Sequence, residues 1–209
     1  MTPTEWQSSD NPYAMLRVLG DRLTFRKYRL LRCGFCRANI EELVDERSVR
    51  AVVVAEQYAD GLTSEAECGR AREAAGQAIG RWRDEPDQRK KLFAGVALSC
   101  LDPELSPFGR GYHVFKEYLE SNPDPDTCHM IRDLFNPFLS GPATPSWLTS
   151  TVISLARQMY DQRDFATLPI LADALQDVGC EDVAILDHCR GQRAHQRGCW
   201  VVDLVLGMV

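Results

Sequence analysis

Eight cysteines and four histidines carry most of the chemistry that this 209-residue chain could perform, and two groupings have a spacing that matters. Cys33-Gly34-Phe35-Cys36 is a Cys-x-x-Cys pair, and His195 stands four positions before Cys199. Each grouping supplies two donors at the spacing found in tetrahedral zinc sites. Together Cys33, Cys36, His195 and Cys199 would complete one set, with His188 and Cys189 as alternative ligands. Such an ion would clamp the second helix to the C-terminal segment. The two halves lie far apart in sequence, so only the fold can join them, and a chain of this length can bury a sufficient core without a metal. The expectation is therefore no cofactor, with structural zinc as the alternative.

The same residues admit thiol chemistry. A Cys-x-x-Cys pair lowers one thiol pKa when a strand delivers it to a free helix N-terminus. Here Arg26-Lys27-Tyr28-Arg29-Leu30-Leu31-Arg32 precedes it in a helical pattern, which places both cysteines mid-helix as small buried hydrophobes. The echo of the papain-like Cys-Gly-Ser-Cys-Trp signature fails at Phe35 and Arg37, and a helical chain lacks the second lobe that would present a base. His195, Arg197 and Cys199 precede the last helix, where a Cys199 thiolate could feel the helix dipole. The preferred reading is that Cys199 and Trp200 fill the core while His195 bonds a nearby carbonyl. Asp203 and Asp173, set among apolar neighbours, call for Arg190 or Arg197 as ion-pair partners. With no Gly-rich phosphate loop, no His-Glu-x-x-His and no distinguished carboxylate pair, the sequence assigns no catalytic residue.

The elements that must position these groups are helical. Asn11-Pro12 starts a helix that Gly20 stops; Thr24 opens one with Phe25, Tyr28, Leu31 and Phe35 on a face and Arg26, Lys27, Arg29, Arg32 and Arg37 elsewhere, read as a solvated basic face or one paired with Glu41, Glu42, Asp45 and Glu46. Asp45 caps a helix ending at Asp60-Gly61, Ser64 to Glu67 is a capping box for a helix to about Trp82, and Asp87 caps the next. Phe108 to Leu119 and Thr127 to Phe135 give two shorter helices, and 136–146, with three prolines and a glycine, reads as a linker. Beyond it follow a helix around Leu148 to Met159, one from Phe165 to Val178 with Gly179 as its cap, one from Asp182 to Gly191, and Trp200 to Leu206. The fold expected is all-α, a multi-helix bundle of short antiparallel helices, with regions 1–135 and 147–209 packed as one domain.

A net charge of -6, with both signs interspersed, argues against a nucleic-acid surface. The longest apolar run, Cys199 to Leu206, contains Asp203 and is far shorter than the roughly 20 residues that span a bilayer. The opening Met-Thr-Pro-Thr-Glu-Trp lacks the basic and apolar regions of an export signal. These features lead to an expected cytoplasmic protein without membrane contact and with reduced thiols.

Several stretches together resemble an uncharacterised helical family associated with planctomycete bacteria. They are Met15-Leu16, the basic helix with Cys33 and Cys36, Asp45-Glu46-Arg47-Ser48, Ala55 to Gly61, the Leu134 to Phe138 box, and the Leu168 to Leu175 stretch with Gly179-Cys180, His188-Cys189-Arg190 and His195-x-Arg197-Gly198-Cys199-Trp200. The resemblance covers about two thirds of the chain, implies a shared bacterial fold and carries no activity. The function expected is thus that of a non-enzymatic adaptor or accessory subunit working through protein contacts, to which loop aromatics such as Trp6, Phe138 and Trp147 would contribute. A zinc-stapled protein is the first alternative and a thiol-based enzyme the second.

Overall fold

A computed structural model describes residues 1–81, 87–103, 113–122, 124–139 and 146–208. Among the described residues all regular structure is helical, in twelve α-helices. They are α1 (Pro3–Ser8), α2 (Pro12–Leu19), α3 (Phe25–Ala38), α4 (Glu46–Ala59), α5 (Glu65–Arg81), α6 (Gln88–Ser99), α7 (His113–Ser121), α8 (Pro125–Leu134), α9 (Ser150–Gln162), α10 (Leu168–Asp177), α11 (Val183–Arg190) and α12 (Trp200–Leu206). The expected all-α bundle is what the chain forms. None of these helices is long and apolar enough to cross a membrane.

The polar caps read from the sequence act where they were placed. Asn11 Oδ1 accepts from Ala14 N at 2.9 Å, Thr24 Oγ1 from Lys27 N at 3.3 Å, and Asp87 Oδ1 from Arg89 N at 3.0 Å, each satisfying a donor that the first helical turn leaves bare. At Ser64 half of the box forms: its hydroxyl accepts from Glu67 N at 3.2 Å, while the Glu67 carboxylate turns to Arg50 and Arg70. The helix expected from Phe108 is described from His113 onward, and Trp82 lies outside the described residues. So do residues 140–145 of the expected linker.

The chain divides into two compact units, Met1–Ile131 and Arg132–Val209, at a point inside α8. In the first, α3 packs on both α4 and α6, and α4 on α5. Phe35 stacks on Phe93 with ring centroids 5.0 Å apart and tilts against Phe115 and Tyr118.

This two-sided burial overturns the solvated basic face expected for α3. Lys27, Arg29 and Arg32 are buried, whereas Phe25 is 62% exposed. The guanidiniums reach the C-terminal end of α6. Arg32 Nη1 donates to Ser99 O at 3.0 Å, Arg29 Nη2 to Asp102 O at 3.0 Å, and Arg29 Nη1 to Cys100 O. Carbonyls at a helix C-terminus lack intrahelical donors and form the negative pole of the dipole, so they accept these cations well. Arg26 and Arg37 pair with Asp60 at 3.0 Å and with Glu56 at 2.7 Å.

In the second unit α9 packs on α10 and α12, and α11 on α10 and α12. Their apolar faces enclose one core, with Met159, Leu171, Leu175, Ile185, Trp200 and Val201 among its members. Thr149 caps α9 and Asp182 caps α11. Gly179, at φ +91°, makes the turn after α10 that an L side chain rarely adopts. Arg190 pairs with Asp173 at 2.9 Å, a partnership the sequence had left open between two arginines.

Candidate metal centre

Within residues 132–209, four side chains with metal-binding chemistry converge. Asp133 comes from the last turn of α8, His188 from α11, and Cys199 is the N-cap of α12. His195 lies in the connection between α11 and α12. That connection doubles back because Gly191 leaves α11 in an extended conformation, Gly198 takes φ +90°, and Cys199 N bonds Gln196 O at 3.0 Å. The tight turn places His195 and Cys199 beside the His188 ring instead of carrying them away from it.

One donor atom from each of Asp133, His188, His195 and Cys199 lies within 4.8 Å of all the others. Asp133 Oδ1 is 2.6 Å from His195 Nδ1 and 3.2 Å from His188 Nε2, which is itself 3.2 Å from Cys199 Sγ. With metal–ligand bonds of about 2.0 to 2.3 Å, donor atoms on a tetrahedral zinc ion stand about 3.3 to 3.6 Å apart. The cluster thus needs only small displacements to receive an ion. Asp133 and Cys199 are 1% and 0% exposed, and the His195 and His188 side chains 6% and 15%. The group is enclosed and opens most at His188.

The electrostatics suit an anion held among donors. Burial alone would push the Asp133 carboxyl up, but hydrogen bonds from His188 and His195 more than offset it and bring the pKa down to about 2. Gln196 N donates to the other oxygen, Oδ2, at 2.9 Å. Burial, and then the Asp133 charge, push the Cys199 thiol well above its ordinary range, so without a cation beside it the sulfur stays protonated.

Two further contacts bear on the chemistry. Trp200 Nε1 donates to His188 Nδ1 at 3.0 Å. His195 Nε2 is buried without a hydrogen-bond partner.

The sequence singled out His195 and Cys199, with His188 as an alternative, and these three meet. The predicted other half does not join them. Cys33 and Cys36 belong to the first unit, on the face of α3 that packs against α4 and α6. They are 1% and 0% exposed there, Cys33 Sγ lies 3.9 Å from Val52 O, and both thiols contact Cys100. Cys189, the other alternative, is buried and is not among the four converging donors; burial raises its pKa to about 12. His195 bonds a carboxylate, where a carbonyl was expected. That carboxylate, Asp133, is not marked by any sequence pattern. It lies 62 residues before His195, and one acid in a short amphipathic helix gives no spacing signal.

The arrangement also differs from a nucleophile–base–carboxylate relay. In such a relay the imidazole meets the thiol with one nitrogen and the carboxylate with the other. His188 meets both Cys199 and Asp133 with Nε2, and its Nδ1 is taken by the indole. All eight cysteines of the chain are buried, and none is in a disulfide. A depression of about 130 Å³ in the same unit, lined by Leu155, Met159, Thr167 and Ile170 among others, shares no residue with the cluster.

The chain matches no protein-family model, no curated protein and no solved structure. The reading of the site rests on its geometry.

Proposed function

We propose that residues 132–209 form a metal-stapled helical unit whose ion is zinc, drawn from the set Asp133, His188, His195 and Cys199. The observation that carries this is the approach of one oxygen, two nitrogens and one sulfur to within 4.8 Å in a largely buried setting. Imidazole with thiolate selects zinc over magnesium or calcium, which need oxygen donors and more of them. The ion would tie the end of α8 to the α11–α12 connection, a short loop whose nine residues, 191–199, contain no helix to hold it in place. It would also compensate charge, since the Asp133 carboxylate and a Cys199 thiolate together balance a divalent cation. A staple of this kind is compatible with work through protein contacts, because it would hold the surface around the connection rigid without requiring turnover.

The test is elemental analysis of protein purified without a metal-affinity tag, combined with thermal unfolding before and after chelation. About one zinc per chain, with a melting temperature that falls on chelation and recovers on adding zinc, is the expected result. Less than about a tenth of an equivalent, with no thermal shift when zinc is supplied, means that the cluster is only a hydrogen-bonded polar core.

A further inference from the structure

We infer that Cys100 is a site of oxidation by hydrogen peroxide and that Cys36 resolves it, so that the oxidised chain carries a disulfide joining α3 to the end of α6. This chemistry belongs to the first unit and does not depend on the metal reading.

Three thiols meet where α3 packs on α6. Cys33 and Cys36, one helical turn apart on α3, both hydrogen bond to Cys100, the C-cap residue of α6. Side chains three positions apart share a helix face, so a single sulfur can meet both. The three are 1%, 0% and 0% exposed. Their electrostatic surroundings differ. Arg29 and Arg32 are buried against the end of α6, where they donate to the Cys100 and Ser99 carbonyls. Glu56, held by Arg37, exerts its negative charge on Cys33 and Cys36.

This division decides which sulfur is ionised. Burial alone would raise the Cys100 thiol, but hydrogen bonds from Cys33 and Cys36, and then the charges of Arg32 and Arg29, more than offset it and hold it well below its ordinary range. Burial and then the Cys100 hydrogen bond push Cys33 well above that range. At Cys36 the Cys100 hydrogen bond comes first and burial second, with the same outcome. The cluster thus pairs one thiolate with two thiols. A thiolate is the nucleophile toward a peroxide, and an adjacent thiol converts the product to a disulfide.

The Cys100 thiolate attacks one peroxide oxygen, the O–O bond breaks, and the departing hydroxide takes a proton from solvent, leaving a sulfenic acid at Cys100. The Cys36 sulfur then attacks the Cys100 sulfur, and the displaced hydroxyl leaves as water with the Cys36 proton. The two sulfurs lose two electrons in all, and the peroxide gains them. Cys33 is the poorer resolving group because its Sγ also donates to Val52 O at 3.9 Å, which draws it toward α4, whereas Cys100 is the dominant influence on Cys36. Access comes from the position of Cys100 at a helix end, since termini open more readily than helix interiors. Hydrogen peroxide is hardly larger than water and passes where a bulkier alkylating agent is held back.

Reduced full-length protein treated with a small excess of hydrogen peroxide, quenched in denaturant with iodoacetamide and mapped by mass spectrometry, should yield a Cys36–Cys100 cross-linked peptide, lighter by two hydrogens and undone by dithiothreitol. Cys100 should oxidise about tenfold or more ahead of the cysteines outside the cluster, because the thiolate is the reactive form. Cys33→Ser should leave the cross-link in place. Cys36→Ser should slow cross-linking enough for dimedone, added with the denaturant, to trap the sulfenic acid at Cys100. Cys100→Ser should leave Cys33 and Cys36 no more sensitive than the cysteines outside the cluster. The wild-type map decides the matter whatever the variants' stability: a Cys100 that stays reduced, or oxidises no sooner than the cysteines outside the cluster, overturns the inference, and a Cys33–Cys100 link overturns the choice of Cys36.

Discussion

Asp133 and His195, 62 residues apart in sequence, meet at 2.6 Å with the carboxylate 1% exposed. Three donors converge on that carboxylate, from His188, His195 and the Gln196 backbone. Asp133→Ala leaves them facing a void. Removing one member of a buried charged group costs about 3 to 5 kcal/mol, and a comparable loss is expected here in urea unfolding of the metal-free protein. A change below about 1 kcal/mol would show that the network relaxes without cost.

Asp182 tests how the site depends on its supporting helix. Its Oδ1 accepts from Ala184 N at 2.9 Å and Ile185 N at 3.2 Å, capping the helix that carries His188. Asp182→Ala should destabilise the unit by about 1 kcal/mol. Asp182→Ser, which keeps a capping oxygen, should restore most of the loss, as read from chemical denaturation midpoints.

In the other unit, Glu56 is 2% exposed and receives both Nε and Nη2 of Arg37 at 2.7 Å. Charge-assisted two-point bonds of this kind are worth more than neutral ones. Glu56→Gln keeps the volume but not the charge, and a destabilisation of about 1 to 3 kcal/mol is expected. The Arg37 end is 37% exposed and can turn to water, so Arg37→Gln should cost more than an ordinary surface change only because it strands the Glu56 carboxylate.

Alkaline pH should weaken the fold through Tyr118. Burial, and then the charge and hydrogen bond of Asp124, raise its pKa from 10.0 to about 12. Because the folded value lies above the unfolded one, the contribution is intact below about pH 10 and disappears as pH rises towards about 12. Absorbance titration of the phenolates should show Tyr118 titrating late, as the buried Tyr28 also does, and Tyr118→Phe should remove one phenolate from that late component.

All eight cysteines are buried, and none is in a disulfide. Native protein challenged with iodoacetamide near neutral pH should therefore label slowly at every position, and all eight thiols should react once denatured. Rapid labelling of Cys33 or Cys199 alone would instead favour the thiol-enzyme reading, since a poised nucleophile must be both ionised and reachable.

The local signals in the sequence were sufficient for most helices. Asn11, Thr24, Asp45, Asp87 and Asp182 announce their helix starts because a cap acts within three residues of itself, and Gly61 and Gly179 mark ends through their positive φ. The burial of Cys33 and Cys36 followed in the same way from the helical period around them. Periodicity failed for the arginines of α3. It ranks residues by polarity and holds no information on how many neighbours will cover a helix, nor on a C-terminal row of carbonyls waiting beside it.

The sequence by itself determined that this chain is helical and that His188, His195 and Cys199 fall close together along it, since only the end of a helix and a glycine-bearing connection separate them. Only the tertiary structure decided that Asp133 joins them and that Cys33 and Cys36 do not. Pairings across long stretches depend on which apolar faces pack together, and that choice is made by the summed burial of many side chains rather than by any spacing in the chain. It alone also brings the Trp200 indole to His188 Nδ1.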